Sequence, residues 1–351
     1  MAALVFVFAR IVLVARQKPA FALVLLLGLS FSAAAQEAKF ITFDPPGSTG
    51  TQVNSINRAA VITGYYFEGN YSHGFVRFRD GSLTTFDGPA ATFTLPESIN
   101  TQGIITGYYF GAGFVQHGFL RFQDGTFITF DPPGSVTTGP ASINREGVIT
   151  GYYIDASGAT HGFVRSRDGT FASFDGPGSA FTVPASINRE GAIAGYYSDA
   201  SGVVHGFVRY PDGSMESFDV PGATSTVPAS INPAGTITGT YTDAHDVPHG
   251  FVRTRHGISE KFDVPGATYT GPSSINGAGI IAGVYADAKV VNHGFLRSRH
   301  GTFTTFDPPG SGDTYPTSSN AAGVIVGNYR KATGIEHGFL RIPDHEEKGD
   351  Q

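Results

Sequence analysis

Histidine and aspartate are the residues of this sequence whose types and spacing could do chemistry. The tripeptide His-Gly-Phe occurs seven times at intervals of 44 residues, and the dipeptide Phe-Asp occurs seven times at intervals of 43 and then 44. A hairpin that joins the two segments would bring one imidazole to one carboxylate, the acid–base combination used by many enzymes. The predicted pairs are His73–Asp87, His117–Asp131, His161–Asp175, His205–Asp219, His249–Asp263, His293–Asp307 and His337–Asp44.

Repetition favours a structural role for these pairs, because a functional site normally occurs once or a few times in a protein. A two-residue turn at Asp80-Gly81 would place Phe75 opposite Phe86 and leave His73 one step from Asp87. Seven histidines on the third strands of a ring would be on the order of 14 Å apart, given a strand spacing of about 4.8 Å. A shared ion needs nitrogen ligands at about 2 Å. We therefore expect His–Asp hydrogen bonds that fix adjacent strands, with no metal site and no cofactor.

The element that positions these residues is a 44-residue repeat made of strands. In residues 130–174 the strand signals are ASI, GVITGYYID, HGFVRSR and TFASFD, which are separated by Asn-x-x-Gly and Asp-Gly turns. Four strands in about 40–45 residues are typical of one propeller blade. The sequence therefore predicts an all-β fold, a seven-bladed β-propeller with four antiparallel strands per blade. An eight-bladed or open arrangement is the alternative.

The two ends of the repeat region predict how the ring closes. The segment FITFD at residues 40–44 copies the fourth strand of a blade but precedes the first repeat. The last repeat stops after HGFLRIPD and has no fourth strand of its own. We expect the N-terminal strand to complete the last blade as its outermost strand, an arrangement that removes exposed edges.

The repeat resembles a known family. The run SINREGVITGYYIDASGATHGFVRSRDGTFASFD is similar to the HAF-type extracellular repeat family of bacteria, which pairs an Ile-Asn-x-x-Gly segment with a His-Ala-Phe-like segment. Here the middle residue of the second segment is glycine in all seven copies. The resemblance covers about residues 40–341 and implies secretion and a repeat β fold. The family has no established activity, so it implies no catalytic residues.

Composition and the N-terminal segment indicate an exported globular chain. The 351 residues carry a net charge of −6, 15% charged residues and no cysteine, which excludes disulfides and argues against a nucleic-acid partner. Residues 1–35 combine three basic residues with an apolar run that ends in Ala33-Ala34-Ala35. This pattern predicts a secretory signal peptide cleaved near Ala35, with a retained membrane anchor as the alternative.

The predicted organisation has three parts. Residues 1–35 form the signal peptide, residues 36–342 form the propeller and residues 343–351 form a polar C-terminal tail. We expect the mature chain to be a secreted or periplasmic monomer with no membrane span.

Residues that differ between repeats predict where a ligand binds. Some loops after the fourth strand, and one loop between the second and third strands, carry aromatic residues. The candidate ligand-binding residues are Phe93, Phe114, Phe181, Tyr269 and Tyr315. Exposed aromatic rings beside polar groups suit sugar rings, so an extracellular glycan or surface protein is the expected partner. Packing of these rings over the loop bases is the alternative explanation.

Two other recurring series have structural interpretations. An arginine beside each hairpin turn is expected at a solvated strand end, in the series Arg77, Arg121, Arg165, Arg209, Arg253, Arg297 and Arg341. A tyrosine of each second strand is expected in the core between blades, in the series Tyr66, Tyr109, Tyr153, Tyr197, Tyr241, Tyr285 and Tyr329.

Three functions remain open from the sequence. The first is a non-catalytic module that binds a polysaccharide or a cell-surface component, and the second is a protein-interaction scaffold that uses the same face. The third is a propeller lyase or hydrolase with a site at the channel mouth. No Gly-x-Ser-x-Gly, P-loop or His-Glu-x-x-His motif occurs, which favours binding over catalysis.

Overall fold

The fold is built from strands, as the repeat pattern predicts. A computed structural model describes residues 38–344, so the predicted signal peptide and residues 345–351 of the predicted tail lie outside the described residues. The described chain contains 28 strands and one short 3-10 helix, which confirms the all-β class. No helix in the described range has the length and apolar character needed to cross a bilayer.

Antiparallel pairing groups most strands into four-stranded units that follow the 44-residue repeat. The strand β1 (Lys39–Phe43) precedes the repeats. Unit one contains β2 (Gly50–Ile56), β3 (Ile62–Glu68), β4 (Tyr71–Arg77) and β5 (Leu83–Phe86). Unit two contains β6 (Phe93–Ile99), β7 (Ile105–Phe110), the 3-10 helix η1 (Ala112–Phe114), β8 (Gln116–Arg121) and β9 (Phe127–Phe130). Unit three contains β10 (Ser135–Ile143), β11 (Ile149–Asp155), β12 (Thr160–Arg165) and β13 (Phe171–Phe174).

The remaining units repeat this order. Unit four contains β14 (Ser179–Ile187), β15 (Ile193–Asp199), β16 (Val204–Arg209) and β17 (Met215–Phe218). Unit five contains β18 (Ser225–Ile231), β19 (Ile237–Thr242), β20 (Pro248–Thr254) and β21 (Gly257–Phe262). Unit six contains β22 (Tyr269–Ile275), β23 (Ile281–Ala286), β24 (Asn292–Arg297) and β25 (Phe303–Phe306). Unit seven contains β26 (Asp313–Ser319), β27 (Ile325–Arg330) and β28 (Glu336–Ile342).

Unit seven takes its fourth strand from the N-terminal side of the repeats. The strand β1 pairs antiparallel with β28, with Phe40 opposite Arg341 and Phe43 opposite Gly338. The described strands form four sheets of 4, 12, 8 and 4 strands, and none of these sheets closes on itself.

The first strand of each unit carries a bulge that requires glycine on its neighbour. In unit two the register between β6 and β7 shifts between Pro96 and Ser98. Proline suits a bulge because it has no N–H to donate to the ladder. A Cβ atom on Gly107 would lie 2.2 Å from the carbonyl oxygen of Leu95, so only glycine fits there.

The hydrophobic core lies between neighbouring units. One buried cluster joins Ala194 and Val208 of unit four to Ile237 and Phe251 of unit five. The third strand of every unit contributes one fully buried phenylalanine, in the series Phe75, Phe119, Phe163, Phe207, Phe251, Phe295 and Phe339. Burial of apolar surface between units therefore holds successive units together.

Five of the seven recurring arginines are buried and the other two are half-buried, so the prediction of solvated strand ends is wrong. Arg253 is only 3% exposed. Its guanidinium carbon lies 4.4 Å from the ring centre of Phe218, on the outer strand of the preceding unit. A planar guanidinium keeps its charge while it stacks on an aromatic face, which explains how an arginine fits between units.

The hairpin turns at the Asp-Gly sequences between the third and fourth strands are one residue longer than predicted. In unit one the N–H of Phe78 donates to the carbonyl of Ser82, and the N–H of Gly81 donates to the carbonyl of Phe78. Gly81 has a φ of +93°, and the Asp80 carboxylate accepts the Ser82 N–H at 2.9 Å. This three-residue loop shifts the register by one residue, so that Gly74 rather than Phe75 lies opposite Phe86.

Candidate functional site

The structure brings each predicted histidine to its predicted aspartate. In the observed register of the third and fourth strands, each histidine lies directly opposite its aspartate. The shortest Nδ1-to-carboxylate distances are 2.8 Å for His73–Asp87, 2.7 Å for His117–Asp131, 2.9 Å for His161–Asp175, 2.9 Å for His205–Asp219, 2.9 Å for His249–Asp263, 2.7 Å for His293–Asp307 and 2.7 Å for His337–Asp44.

Each pair also has neighbours that the sequence analysis missed. The hydroxyl of Thr51 donates to Asp44 at 2.6 Å, and the hydroxyl of Thr138 donates to Asp131 at 2.6 Å. A threonine stands seven residues after every Phe-Asp aspartate, and this recurrence was the available signal. The Tyr66 ring packs 5.3 Å from the His73 ring. These contacts hold the imidazole, the carboxylate and the next unit together.

In several units a second carboxylate lies on the other side of the histidine. Nε2 of His161 lies 3.3 Å from Asp155, and Nε2 of His205 lies 3.4 Å from Asp199. Burial lowers the pKa of His205, but its hydrogen bonds to Asp219 and Asp199 outweigh burial and leave that pKa raised. Both imidazole nitrogens are then engaged, which suits a structural clamp better than proton transfer to a substrate.

The turn between β19 and β20 in unit five brings one aspartate close to two histidines, residue types that can bind a metal ion. Asp243 lies 3.5 Å from Nε2 of His249 and 3.5 Å from Nδ1 of His245. The other oxygen of Asp243 accepts the N–H groups of His245 and Val247, which fixes the turn. Within residues 38–344 no group of three or more histidine, cysteine, aspartate or glutamate side chains is arranged to hold an ion.

Unit two departs from this pattern at the turn between β7 and β8. Its sequence Gly-Ala-Gly-Phe replaces the Asp-Ala-Ser-Gly of units three and four. The N–H of Phe114 donates to the carbonyl of Gly111, so Phe114 occupies the turn position that Gly158 occupies in unit three. Phe114 has a φ of +59° and is 69% exposed. Val290 holds the same turn position in unit six, with a φ of +63° and 75% exposure.

A residue other than glycine with a positive φ of this kind is strained by about 1–2 kcal/mol. Strained residues often mark functional sites, so an exposed phenylalanine here is a hypothesis of function.

Phe114 covers one side of an apolar hollow between units one and two. This aromatic hollow has a volume of about 260 Å³ and is lined by Tyr65, Phe67, Ser72, Phe93, Leu95, Phe110 and Phe114. The rings of Phe93 and Phe110 pack edge to face at 5.9 Å. The hydroxyl of Ser72 is buried and has no hydrogen-bond partner in the described part of the chain. The hollow therefore offers aromatic faces and one buried hydroxyl group.

Of the other candidate aromatics, Phe93 also lines this hollow, whereas Phe181, Tyr269 and Tyr315 do not. Phe93, Phe181, Tyr269 and Tyr315 lie in the first strands of their units, so their predicted placement in loops is wrong. The first strand begins to pair with the second strand earlier in the sequence than the Gly- and Pro-rich loop suggested. In unit four, for example, pairing starts with Ser179 opposite Asp199.

These three rings pack within the fold. Phe181 packs edge to face on Tyr196 at 6.2 Å. The Tyr315 hydroxyl accepts a hydrogen bond from the Asn292 amide at 3.0 Å. Burial raises the pKa of Tyr269. Packing over the strands, the alternative explanation, accounts for these three residues.

A single carboxyl on the first strand of unit two was missed. Glu97 replaces the alanine of Pro-Ala-Ser-Ile-Asn, the motif that contains Ala141 and Ala185 in the next two units. Its Oε2 lies 3.5 Å from the Asn54 amide of unit one. Burial raises the pKa of Glu97 to about 8. The replacement of the recurring alanine by glutamate is the feature of the sequence that could have identified this residue.

Glu97 also acts on two tyrosines beside it. Burial is the main cause that raises the pKa of Tyr65 and of Tyr108, and the charge of Glu97 adds to it. Tyr65 also lines the aromatic hollow, so the carboxyl and the hollow are connected through one side chain. A carboxyl that exchanges its proton near neutral pH has the property of a general acid or base.

Comparison with known proteins identifies the architecture alone. No family model and no curated protein sequence matches the chain. A streptogramin B lyase structure is similar with a TM-score of 0.60 at 14% identity, over 89% of this chain and all of that one. Virginiamycin B lyase from Staphylococcus aureus gives a TM-score of 0.60 at 12% identity, over 88% of this chain and all of that one.

The β-propeller domain of the Trilobed protease from Pyrococcus furiosus is also similar. Its TM-score is 0.59 at 9% identity, over 83% of this chain and 95% of that one. At these identities the likeness concerns the fold and not the chemistry. The chain has a propeller-like all-β fold.

Proposed function

We propose that this chain is a secreted, closed, seven-bladed β-propeller that binds an extracellular polysaccharide through the aromatic hollow. Each four-stranded unit is one blade. The observation that carries the binding proposal is Phe114, an exposed aromatic ring held at a strained turn position beside an apolar hollow with a buried free hydroxyl.

Contacts between the first and last units support a closed ring. The side-chain amide of one asparagine in each unit donates to the backbone carbonyl of the corresponding asparagine in the next unit. The donors in order are Asn57, Asn100, Asn144, Asn188, Asn232, Asn276 and Asn320, and the acceptor for Asn320 is Asn57, at 3.2 Å. A buried cluster also joins Val53 and Phe75 of unit one to Val326 and Leu340 of unit seven.

Secretion is supported by the sequence of residues 1–35 and by the resemblance to extracellular repeats. An exported chain meets polysaccharides outside the cell or in the envelope, where a binding module acts without a cofactor. We propose that the mature protein is a monomer, with cell-surface proteins as the alternative partners.

The chemistry of the hollow suits a sugar better than a flat protein surface. An aromatic ring stacks on the apolar face of a sugar, while a hydroxyl bonds the sugar's own hydroxyls. Phe114 and Phe93 supply faces, and Ser72 supplies the buried hydroxyl group. A volume of about 260 Å³ matches a short stretch of a chain rather than a large ligand.

The test compares Phe114→Gly with Val290→Gly on an array of microbial and plant polysaccharides. Both substitutions place glycine at the same strained turn position, so both are expected to raise stability by about 1 kcal/mol. We expect Phe114→Gly to lose glycan binding by at least tenfold and Val290→Gly to keep it.

Retention of binding by Phe114→Gly, or equal loss in both variants, would contradict the proposed site. Absence of glycan binding by the folded wild-type protein would favour the protein scaffold, which a pull-down from the cell envelope would then examine.

Glu97 favours a second candidate function, a polysaccharide lyase or hydrolase at the mouth of the central channel. A carboxyl with a pKa of about 8 beside Tyr65 and Tyr108 supplies groups for proton transfer. In this case the glycan that binds the wild-type protein would be shortened on incubation, and Glu97→Gln would abolish the cleavage without abolishing binding. Unchanged chain length of a bound glycan would exclude this candidate.

A further inference from the structure

A second pocket lies at the opposite ends of the strands, between unit seven and unit one. It has a volume of about 360 Å³. Three arginines line it, Arg58 from the turn after β2, Arg77 at the end of β4 and Arg79 in the turn after β4. The described lining contains no carboxylate. The pocket therefore combines a concave shape with three positive charges that no carboxylate of its described lining offsets.

Arg77 gives this pocket a buried cationic group with spare hydrogen-bonding capacity. The residue is 7% exposed, and its Nε has no hydrogen-bond partner within the described residues. One Nη lies 3.4 Å from the carbonyl of Phe78. The nearby Asp80 carboxylate already accepts the N–H and the hydroxyl of Ser82. Asp80 attracts Arg77 electrostatically, but no hydrogen bond joins the two side chains within the described residues, so an anion in the pocket can accept from the guanidinium.

Within the described residues, two of the six corresponding arginines have a glutamate partner that Arg77 lacks. Arg253 pairs with Glu216, and Arg297 pairs with Glu260, each glutamate lying on the outer strand of the preceding unit. The residue at the glutamate position before unit one is Ile41, on β1. Ile41 lines the pocket, so this position supplies no anion to it. The corresponding positions before units two, three, four and seven are also uncharged, as Thr84, Ile128, Ala172 and Thr304.

The rest of the pocket wall is apolar. Ile41, Val324, Leu340 and Ile342 line it, together with Pro343. Unit seven takes its outer strand from β1, so no hairpin turn follows β28 beside this pocket. The pairing of the two distant strands thus leaves the groove wider than its counterpart between units two and three. That counterpart has a volume of about 140 Å³ and contains Glu146 beside Arg165 and Arg167.

We propose that this pocket binds an amphiphilic organic anion, a carboxylate or phosphate group on a short apolar chain. The three guanidinium groups hold the charged head by paired N–H···O bonds. The isoleucine, valine and leucine side chains cover the apolar chain. The site does not depend on the glycan site, because the two lie at opposite ends of the strands.

Isothermal titration calorimetry with hexyl phosphate, hexanoate, inorganic phosphate and 1-hexanol tests the proposal. We expect hexyl phosphate or hexanoate to bind the wild-type protein at least tenfold more tightly than either inorganic phosphate or 1-hexanol. The double variant Arg58→Gln/Arg79→Gln should weaken this binding at least tenfold. The matched control is Arg145→Gln/Arg167→Gln, which changes the same two positions of unit three and should leave binding unchanged.

Vesicles that contain phosphatidylglycerol identify the source of the anion. Binding of vesicles that depends on Arg58 and Arg79 would assign the site to a lipid head group, and binding of hexyl phosphate or hexanoate alone would assign it to a soluble compound. Absence of binding to every probe, or equal loss in both double variants, would overturn the proposal. Glycan binding measured on the same variants should not change, which separates failure here from failure of the proposed function.

Discussion

Units two and four share one framework and differ at the positions of the proposed binding site. Both have a phenylalanine near the start of the first strand, Phe93 and Phe181, and both have the His–Asp pair. Unit four keeps the turn aspartate, and Asp199 lies 3.4 Å from Nε2 of His205. Unit two has Gly111 at that position and exposes Phe114 three residues later. The framework is thus constant while the turn changes.

The first strand of each unit shows the same contrast. Ala185 of unit four corresponds to Glu97 of unit two, and the carboxyl lies beside the hollow that Phe114 covers. Two departures from the repeat therefore fall on one side of one unit. In this repeat protein the recurring residues stabilise the fold, and the residues that depart from the repeat form the candidate site.

The largest expected effect is the loss of stability when the buried phenylalanine of the third strand is removed from unit two or unit four. Phe119 and Phe207 are both 0% exposed and hold equivalent positions in units two and four. Replacing either one with alanine should lower the free energy of unfolding by about 3–5 kcal/mol, because each leaves a cavity in a core between units. Denaturant unfolding of the two variants measures this. If the two losses in unfolding free energy differed by more than about 1.5 kcal/mol, the two phenylalanines would not have equivalent roles.

The next effect concerns the carboxyl of unit two. Burial raises the pKa of Glu97 from 4.5 to about 8, so the folded state favours the protonated form. Its contribution to stability is complete below pH 4.5, is lost as the pH rises from 4.5 to about 8, and changes no further above that. Glu97→Gln should remove this decline and make the protein more stable than wild type at pH 9, by a few kcal/mol at most.

Unfolding curves at pH 5, 7 and 9 check this expectation. Ala185→Glu should introduce a similar decline into unit four, which makes it the matched control. Parallel curves for wild type and Glu97→Gln would show that Glu97 ionises as it does in water.

The smallest effect concerns the second carboxylate of unit four. Asp199→Asn keeps an oxygen for the N–H groups of Ser201 and Val203 but removes a charge beside His205. The pKa of His205 should fall, and NMR titration of its ring measures this. A raised histidine pKa stabilises the fold below pH 6.5 and ceases to do so as the pH rises through the folded-state value.

The substitution should therefore lower stability at pH 5 more than at pH 8. Asp155→Asn in unit three should reproduce the result for His161. An unchanged titration of His205 would mean that Asp219 alone sets its pKa.

The framework could be predicted from the sequence because its residues recur. Recurrence indicated the strand order, the proximity of each histidine to its aspartate, and the pairing of β1 with β28. The burial of Arg253 could not be predicted, because a charged residue beside a turn normally lies in water, and only the packed structure places the Phe218 ring beneath it.

The candidate site was only partly predictable. Phe114 was recognisable as an aromatic residue in a turn, whereas the positive φ that exposes it depends on the hydrogen bond to Gly111. Glu97 was visible as a departure from the repeat, but its raised pKa arises from burial among neighbouring strands. Single positions of this kind depend on tertiary contacts that no local pattern encodes.

The pairing of β1 with β28 also has a consequence for synthesis. His337 and its partner Asp44 are 293 positions apart, so β1 leaves the ribosome long before β28 exists. At about 5–20 residues per second, this strand waits about 15–60 s for its partner. During that interval unit seven cannot be completed and two strand edges stay open to other chains. The nascent chain therefore exposes unpaired strand edges until its final strand is available.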